Sequence, residues 1–157
     1  MLDRHHAPPD PGPRWGPRYA SFDPAGLRGR AMHRLILRIY YEDTDFAGVV
    51  YYANYLRFIE RGRTEWVRHR GVDQRRLLEE EGLVFAVRRI EADYLAPAFF
   101  DDVVEVQTAL LEATGARVVL SQEVRRNDRT LFAARVTLVA VNGAGRARRI
   151  PARLAEA

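Results

Sequence analysis

The sequence predicts an α+β domain in which an antiparallel sheet wraps against one long helix. Three observations carry that reading. After residue 54, Tyr55, Phe58, Ile59, Gly62 and Trp66 recur at helical spacing, the longest such run in the chain. From residue 83 onward the chain reads as at least four strands in succession, rich in β-branched residues. Turn signals, Asn127-Asp128-Arg129 and Asn142-Gly143, separate or close the later strands. One helix early and strands thereafter is the pattern of a sheet segregated from its helix.

The elements follow in order. Residues 1–31 read as a disordered tail, because prolines 8, 9, 11, 13, 17 and 24 and glycines 12, 16, 26 and 29 interrupt any regular element. Patterned sequence begins at Met32, so the domain is placed at residues 32–145, with a C-terminal tail at 146–157. Residues 35–41 alternate as a strand, with Leu35, Leu37, Ile39 and Tyr41 on one face. Residues 42–48 form an acidic turn. Asn54 is a suitable N-cap for the long helix, and Gly71 a suitable stop. Gly62 lies inside that helix at a cost of about 1 kcal/mol in propensity, which implies close approach of another element. A second helix is expected over 73–81 with Gly82 as its end. Strands are expected over 83–94, 103–112, 116–126 and 131–141. In the third of these, Val118, Leu120 and Val124 share a face, and residues 145–157 read as polar and frayed.

Composition excludes several chemistries. A chain of 157 residues, 47% hydrophobic, suffices for one core. It has no cysteine, so disulfides, thiolate zinc sites and cysteine nucleophiles are ruled out. No stretch approaches the roughly 20 apolar residues of a membrane span. The first residues lack an apolar signal core, so a cytoplasmic protein is expected. HExxH, GxGxxG and Walker A patterns are absent, so no metal and no cofactor is expected. The net charge of +4 is spread among arginines rather than gathered into a stripe, which argues against nucleic acid.

The chemistry concentrates in residues 41–65, YEDTDFAGVVYYANYLRFIERGRTE. An acidic turn running into a helix start can place a carboxylate beside free backbone N–H groups. Asp45 is the catalytic candidate: a carboxylate attacks a thioester or activates water, and a thiolate leaves easily. The competing reading makes Asp45 a turn cap. Asp43 reads as structural. Residues Gly48, Val49, Val50, Tyr51, Tyr52 and Asn54 form the second half of the site, supplying backbone donors and substrate contacts. Glu60 is counted with the substrate-binding residues as a spare base, with a surface ion pair as the competing reading. Arg88 and Arg89, then Arg125, Arg126 and Arg129, are phosphate candidates or simply a solvated basic surface.

Residues Tyr41 to Tyr55 closely resemble the signature of hotdog-fold acyl-CoA thioesterases, in the 4-hydroxybenzoyl-CoA thioesterase family and its Tol-Pal-associated YbgC-type branch. The resemblance continues through Phe58-Ile59-Glu60-Arg61-Gly62-Arg63-Thr64-Glu65, Asp93-Tyr94-Leu95-Ala96-Pro97-Ala98 and Asp101-Asp102. It implies a hotdog fold and hydrolysis of acyl-CoA, or of an acyl carrier protein thioester. It also implies a homo-oligomer, dimer or tetramer, with active sites at subunit interfaces. Asp45 would be nucleophile or base, and N–H groups near Tyr52 would polarise the thioester carbonyl. Arg88, Arg89 and Arg129 would hold the CoA phosphates. The chain departs from the YbgC type at Tyr52, where histidine is usual. A phenol with an ordinary pKa near 10 is no base at neutral pH, so Tyr52 reads as a donor or a pocket wall. A non-catalytic acyl-thioester-binding protein of an envelope complex is the alternative.

Overall fold

A computed structural model describes residues 29–156, and the expected N-terminal tail lies almost wholly outside them. The elements run β1 (Met32–Arg38), α1 (Asn54–His69), α2 (Gln74–Glu81), β2 (Leu83–Tyr94), β3 (Val103–Thr114), β4 (Arg117–Arg126), β5 (Arg129–Asn142) and α3 (Ala152–Ala155). The five strands form one sheet in the order β1-β3-β4-β5-β2, with every pairing antiparallel. Helix α1 packs on β1, β3 and β4, so the sheet wraps around the long helix as expected. Among the described residues, no helix is long and apolar enough to cross a membrane.

The amphipathic face of α1 explains the packing. Tyr55, Phe58, Ile59, Gly62, Trp66 and Val67 are buried along it. Opposite them lie Val104 and Val106 of β3, Val118, Leu120 and Val124 of β4, and Phe132 of β5. Gly62 is where helix and sheet come closest. A Cβ there would sit 2.6 Å from Val106 Cγ1 and 3.2 Å from Thr108 Oγ1. The interior glycine is thus the residue that lets the backbone approach the sheet. Asp73 caps α2 by accepting from the N–H groups of Arg75 and Arg76, and Gly82 closes it in the left-handed conformation at φ 61°.

Three expectations need correction. The first strand spans Met32–Arg38 rather than 35–41. The backbone leaves the sheet after Arg38 and makes a single 3-10 turn at Tyr41–Asp43, so Tyr41 is exposed rather than on the inner face. Asn54 is the first helical residue and not the cap, which falls on Ala53 with no side-chain cap bond. The C-terminal residues are not frayed: Ile150 and Leu154 are buried in the main core, and α3 contacts β3.

Candidate active site

The acidic turn is built from backbone pairing. The N–H of Asp45 donates to Val49 O at 2.8 Å, and the N–H of Tyr51 donates to Asp43 O at 2.9 Å. Thr44 and Val50 form an antiparallel bridge between these bonds. The segments around Asp45 and Val50 therefore run side by side, joined by a tight turn in which Gly48 N–H donates to Asp45 O at 3.0 Å. Gly48 has φ 79°, the left-handed region, and nothing lies within 4 Å of where its Cβ would be. Glycine serves the turn through its backbone there.

Asp43 is structural. Its Oδ2 accepts from Tyr40 N–H at 2.8 Å, and its carbonyl also receives Asn54 Nδ2 at 2.9 Å. The Asn54 amide thus ties the turn to the helix start instead of capping the helix. Asp45 is exposed, and its Oδ1 accepts from Ala47 N–H at 2.8 Å. Its Oδ2 has no hydrogen bond among the described residues. The carboxylate therefore shapes the turn with one oxygen and presents the other.

The second half of the site follows directly in the chain. Val50 is buried and anchored by its N–H to Ala98 O at 2.9 Å, while Val49 is half-buried and bridged to Phe99. The N–H groups of Tyr52 and Ala53 have no hydrogen-bond acceptor among the described residues. They stand ahead of the first turn of α1, where the partial positive charge of the helix concentrates. Tyr51 and Tyr52 are exposed with ring centroids 4.8 Å apart. The neighbouring Tyr52 side chain pushes Tyr51 above its ordinary pKa. Tyr52 also forms one wall of a 290 Å³ groove with Val50, Tyr55, Tyr94, Leu95, Ala96 and Pro97.

Tyr94, Tyr55 and Asp102 support the site although the sequence assigned them no role in it, and Arg125 and Arg126, phosphate candidates by sequence, turn inward instead. The Tyr94 hydroxyl donates to Tyr52 O at 3.0 Å. The hydroxyl of buried Tyr55 accepts from Ala98 N–H at 3.2 Å, and burial raises its pKa. Asp102 accepts from Phe99 N–H at 2.9 Å and from Arg126, which also sits 5.9 Å over the Phe99 ring. Arg126 thus braces the turn that holds Val49 and Val50. Arg125 is likewise committed inward, to Glu123 at 2.8 Å and to Thr130.

The remaining candidates do not converge. Glu60 is exposed, accepts from the Thr64 hydroxyl at 2.8 Å, and lines a different cavity from the Tyr52 groove. Arg89 is exposed on β2 and pairs with Glu91 at 2.7 Å, and Arg88 beside it falls in a bulge of that strand. Arg129 opens β5, eight residues before Thr137, the register partner of Arg89. At about 3.3 Å per residue those arginines stand roughly 26 Å apart, so one subunit does not gather them into one phosphate clamp.

The arrangement of turn, helix start and wrapped sheet has clear relatives. Residues 40–157 match the family model of the thioesterase-like superfamily. The chain belongs to that superfamily. It is 43% identical over 106 residues to an acyl-CoA thioesterase YbgC of Haemophilus influenzae, covering 68% of this chain and 78% of that protein. A probable thioesterase from Bartonella henselae superposes with a TM-score of 0.74 at 38% identity, covering 77% of this chain and all of that one. The 4-hydroxybenzoyl-CoA thioesterase of a Pseudomonas strain superposes with a TM-score of 0.72 at 26% identity, covering 78% of this chain and 95% of the other. This superfamily member is a hotdog-fold thioester hydrolase, as the signature around Asp45 implies.

Proposed function

We propose that this thioesterase hydrolyses acyl-coenzyme A, with the Asp45 carboxylate as nucleophile or general base and the N–H groups of Tyr52 and Ala53 as the oxyanion site. The supporting observation is the antiparallel pairing of residues 43–45 with 49–51. It sets an exposed carboxylate alongside a helix start whose leading N–H groups have no acceptor among the described residues. In the base route, Asp45 takes a proton from water, the water oxygen bonds to the thioester carbon, and the C–S bond breaks. The departing thiolate then takes up that proton. In the nucleophilic route, an Asp45 oxygen bonds to the carbon and the C–S bond breaks to form an anhydride; water then hydrolyses it to the free acid and the Asp45 carboxylate, and the departed thiolate takes up the proton that water releases. Both routes build negative charge on the carbonyl oxygen, which fixed N–H donors stabilise without reorganising. Tyr52 lines the groove and serves as pocket wall or donor.

Exposed Tyr40, Tyr41, Phe46, Phe99 and Phe100 surround this turn, and β2 is an edge strand among the described residues. Both features support assembly into a dimer or tetramer that completes the site. Such an assembly also offers a way to bring Arg88 or Arg89 of one subunit toward the site of another.

Thiol release from short, long and aromatic acyl-CoAs, by wild type and Asp45→Asn, tests the reading. A folded, oligomeric Asp45→Asn should lose at least about 100-fold in turnover, the scale of a positioned proton-transfer group. Equal turnover by both proteins would remove Asp45 from the chemistry. Turnover on acyl carrier protein thioesters alone would reassign the donor, and none on any donor would leave a binding protein.

A further inference from the structure

Arg63 is a buried cation that makes no direct ion pair with a carboxylate among the described residues. It lies on the sheet-facing side of α1 with 9% of its surface exposed. Its Nη1 donates to Oε1 of Gln122 at 3.0 Å, a neutral amide. Among the described residues it forms no ion pair. The Nε2 of Gln122 donates to Ile59 O at 2.8 Å and to Thr108 Oγ1 at 2.9 Å, which turns the neutral Oε1 toward the guanidinium. Arg63 lines a 170 Å³ cavity between α1, α2 and the β2 side of the sheet. Phe85, Val87, Leu138 and Val67 supply its apolar wall, with Glu60, Thr64 and Gln74 as the other polar lining.

We propose that this cavity is a binding site for a carboxylate carried on a small apolar body. A guanidinium offers five donors in a planar fork that matches a carboxylate in two-point fashion, and among the described residues its one hydrogen bond, to Gln122, leaves the other donors uncommitted. An isolated buried charge is unfavourable, whereas a paired one is tolerated. Burial pushes the Arg63 guanidinium below its ordinary pKa, the signature of a cation short of a counter-ion, although Glu60 pulls the other way. Glu60 does not fill that role. It is exposed and bonded to Thr64, so water screens it, while most of the Arg63 side chain is buried. The volume sets the size of the body, since an apolar cavity of about 150 Å³ takes up benzene. Two sources of this chemistry fit: the free acid left by hydrolysis, or the far carboxylate of a half-thioester of a dicarboxylic acid. That choice rests on the hydrolase reading, but the binding itself does not.

Equilibrium titration of the whole protein with benzoate and with benzamide, its neutral isostere, tests the site. Wild type should bind benzoate at least about tenfold more tightly than benzamide, and Arg63→Met should remove that preference. Val87→Phe, which fills the cavity from β2, should weaken both ligands and decides the matter if Arg63→Met fails to fold. Equal affinity for the two ligands in wild type, or benzoate binding untouched by either variant, would overturn the proposal. Thiol release from succinyl-CoA and butyryl-CoA separates the sources. A loss in Arg63→Met confined to succinyl-CoA supports the half-thioester. Equal rates on both, with relief of inhibition by benzoate, support the free acid. Preferential benzoate binding by a protein that releases no thiol would keep the site and sink the hydrolase reading.

Discussion

Gln122 and Ile59 are joined across the helix–sheet interface: Nε2 of Gln122, fully buried on β4, donates to the Ile59 carbonyl of α1 at 2.8 Å. The same side chain reaches Thr108 on β3 and Arg63 on α1. One amide therefore ties the helix to two strands where Gly62 lets them come closest. Gln122→Leu keeps the size but strands the Thr108 hydroxyl and removes the one bond to Arg63. Leaving buried polar groups unpaired should cost about 3 kcal/mol. For a chain of this length that corresponds to a fall in Tm of roughly 6–12 °C. Calorimetry checks this, and a fall below about 2 °C would show that water or relaxation replaces the amide.

Asp45 combines two roles that a pair of variants separates. Its Oδ1 holds the Ala47 N–H at 2.8 Å, and asparagine retains an oxygen that can do the same. Alanine cannot. Asp45→Ala should lose about 1 kcal/mol of stability, the usual worth of such a bond, while Asp45→Asn should lose less than about half of that. Both should lose turnover alike. Urea denaturation measured beside thiol release checks the pair. Turnover that tracks stability, with Asp45→Asn active, would make Asp45 only a turn residue.

Local signals made most of the architecture legible. The α1 stripe, the Asp73 and Gly82 ends of α2, and the turn at Asn127 all depend on neighbours in sequence. Features set by distant partners were not legible. Strand β1 starts at Met32 because Met32 and His33 pair with Ala109 and Thr108 of β3, which no local alternation reveals. Asn54 looks like a cap, but Asp43 O claims its amide. Ile150 and Leu154 sit in an arginine-rich run whose burial depends on packing against the rest of the fold. In the site, Asp45 and the helix start were visible because they lie within ten residues. Tyr94, 42 residues beyond Tyr52, became a partner only through the fold.

Tyr94 controls a peptide plane. Its hydroxyl donates to Tyr52 O at 3.0 Å. Planarity of the peptide bond means that this contact also orients the Ala53 N–H on the opposite side. Burial raises the Tyr94 phenol above its ordinary pKa, which favours the protonated donor. Tyr94→Phe frees the plane while keeping the ring against Phe132 and Tyr55. If Ala53 N–H serves the oxyanion, kcat should fall about tenfold, a loss of some 1.4 kcal/mol in the transition state, with KM moving less than about twofold. A change in KM alone would make Tyr94 a wall of the groove and nothing more.

His33 makes stability depend on pH. Its ring on β1 lies 5.4 Å from that of His69 on α1, and its Nδ1 is buried without a hydrogen-bond partner among the described residues. Burial, followed by the charge of His69, lowers its pKa below 6.5, while Glu65 acts in the opposite direction. Trp66 and Arg70 complete the cavity around the pair. Because the folded value lies below the unfolded one, the unfolded chain takes up a proton first as pH falls. The stability contribution is fully present above 6.5 and is lost between there and the lower folded value. Urea unfolding from about pH 8 to about pH 5 should therefore show stability declining below neutrality, and His33→Gln should flatten that decline. An identical pH slope in His33→Gln would assign the dependence to carboxylates elsewhere in the fold.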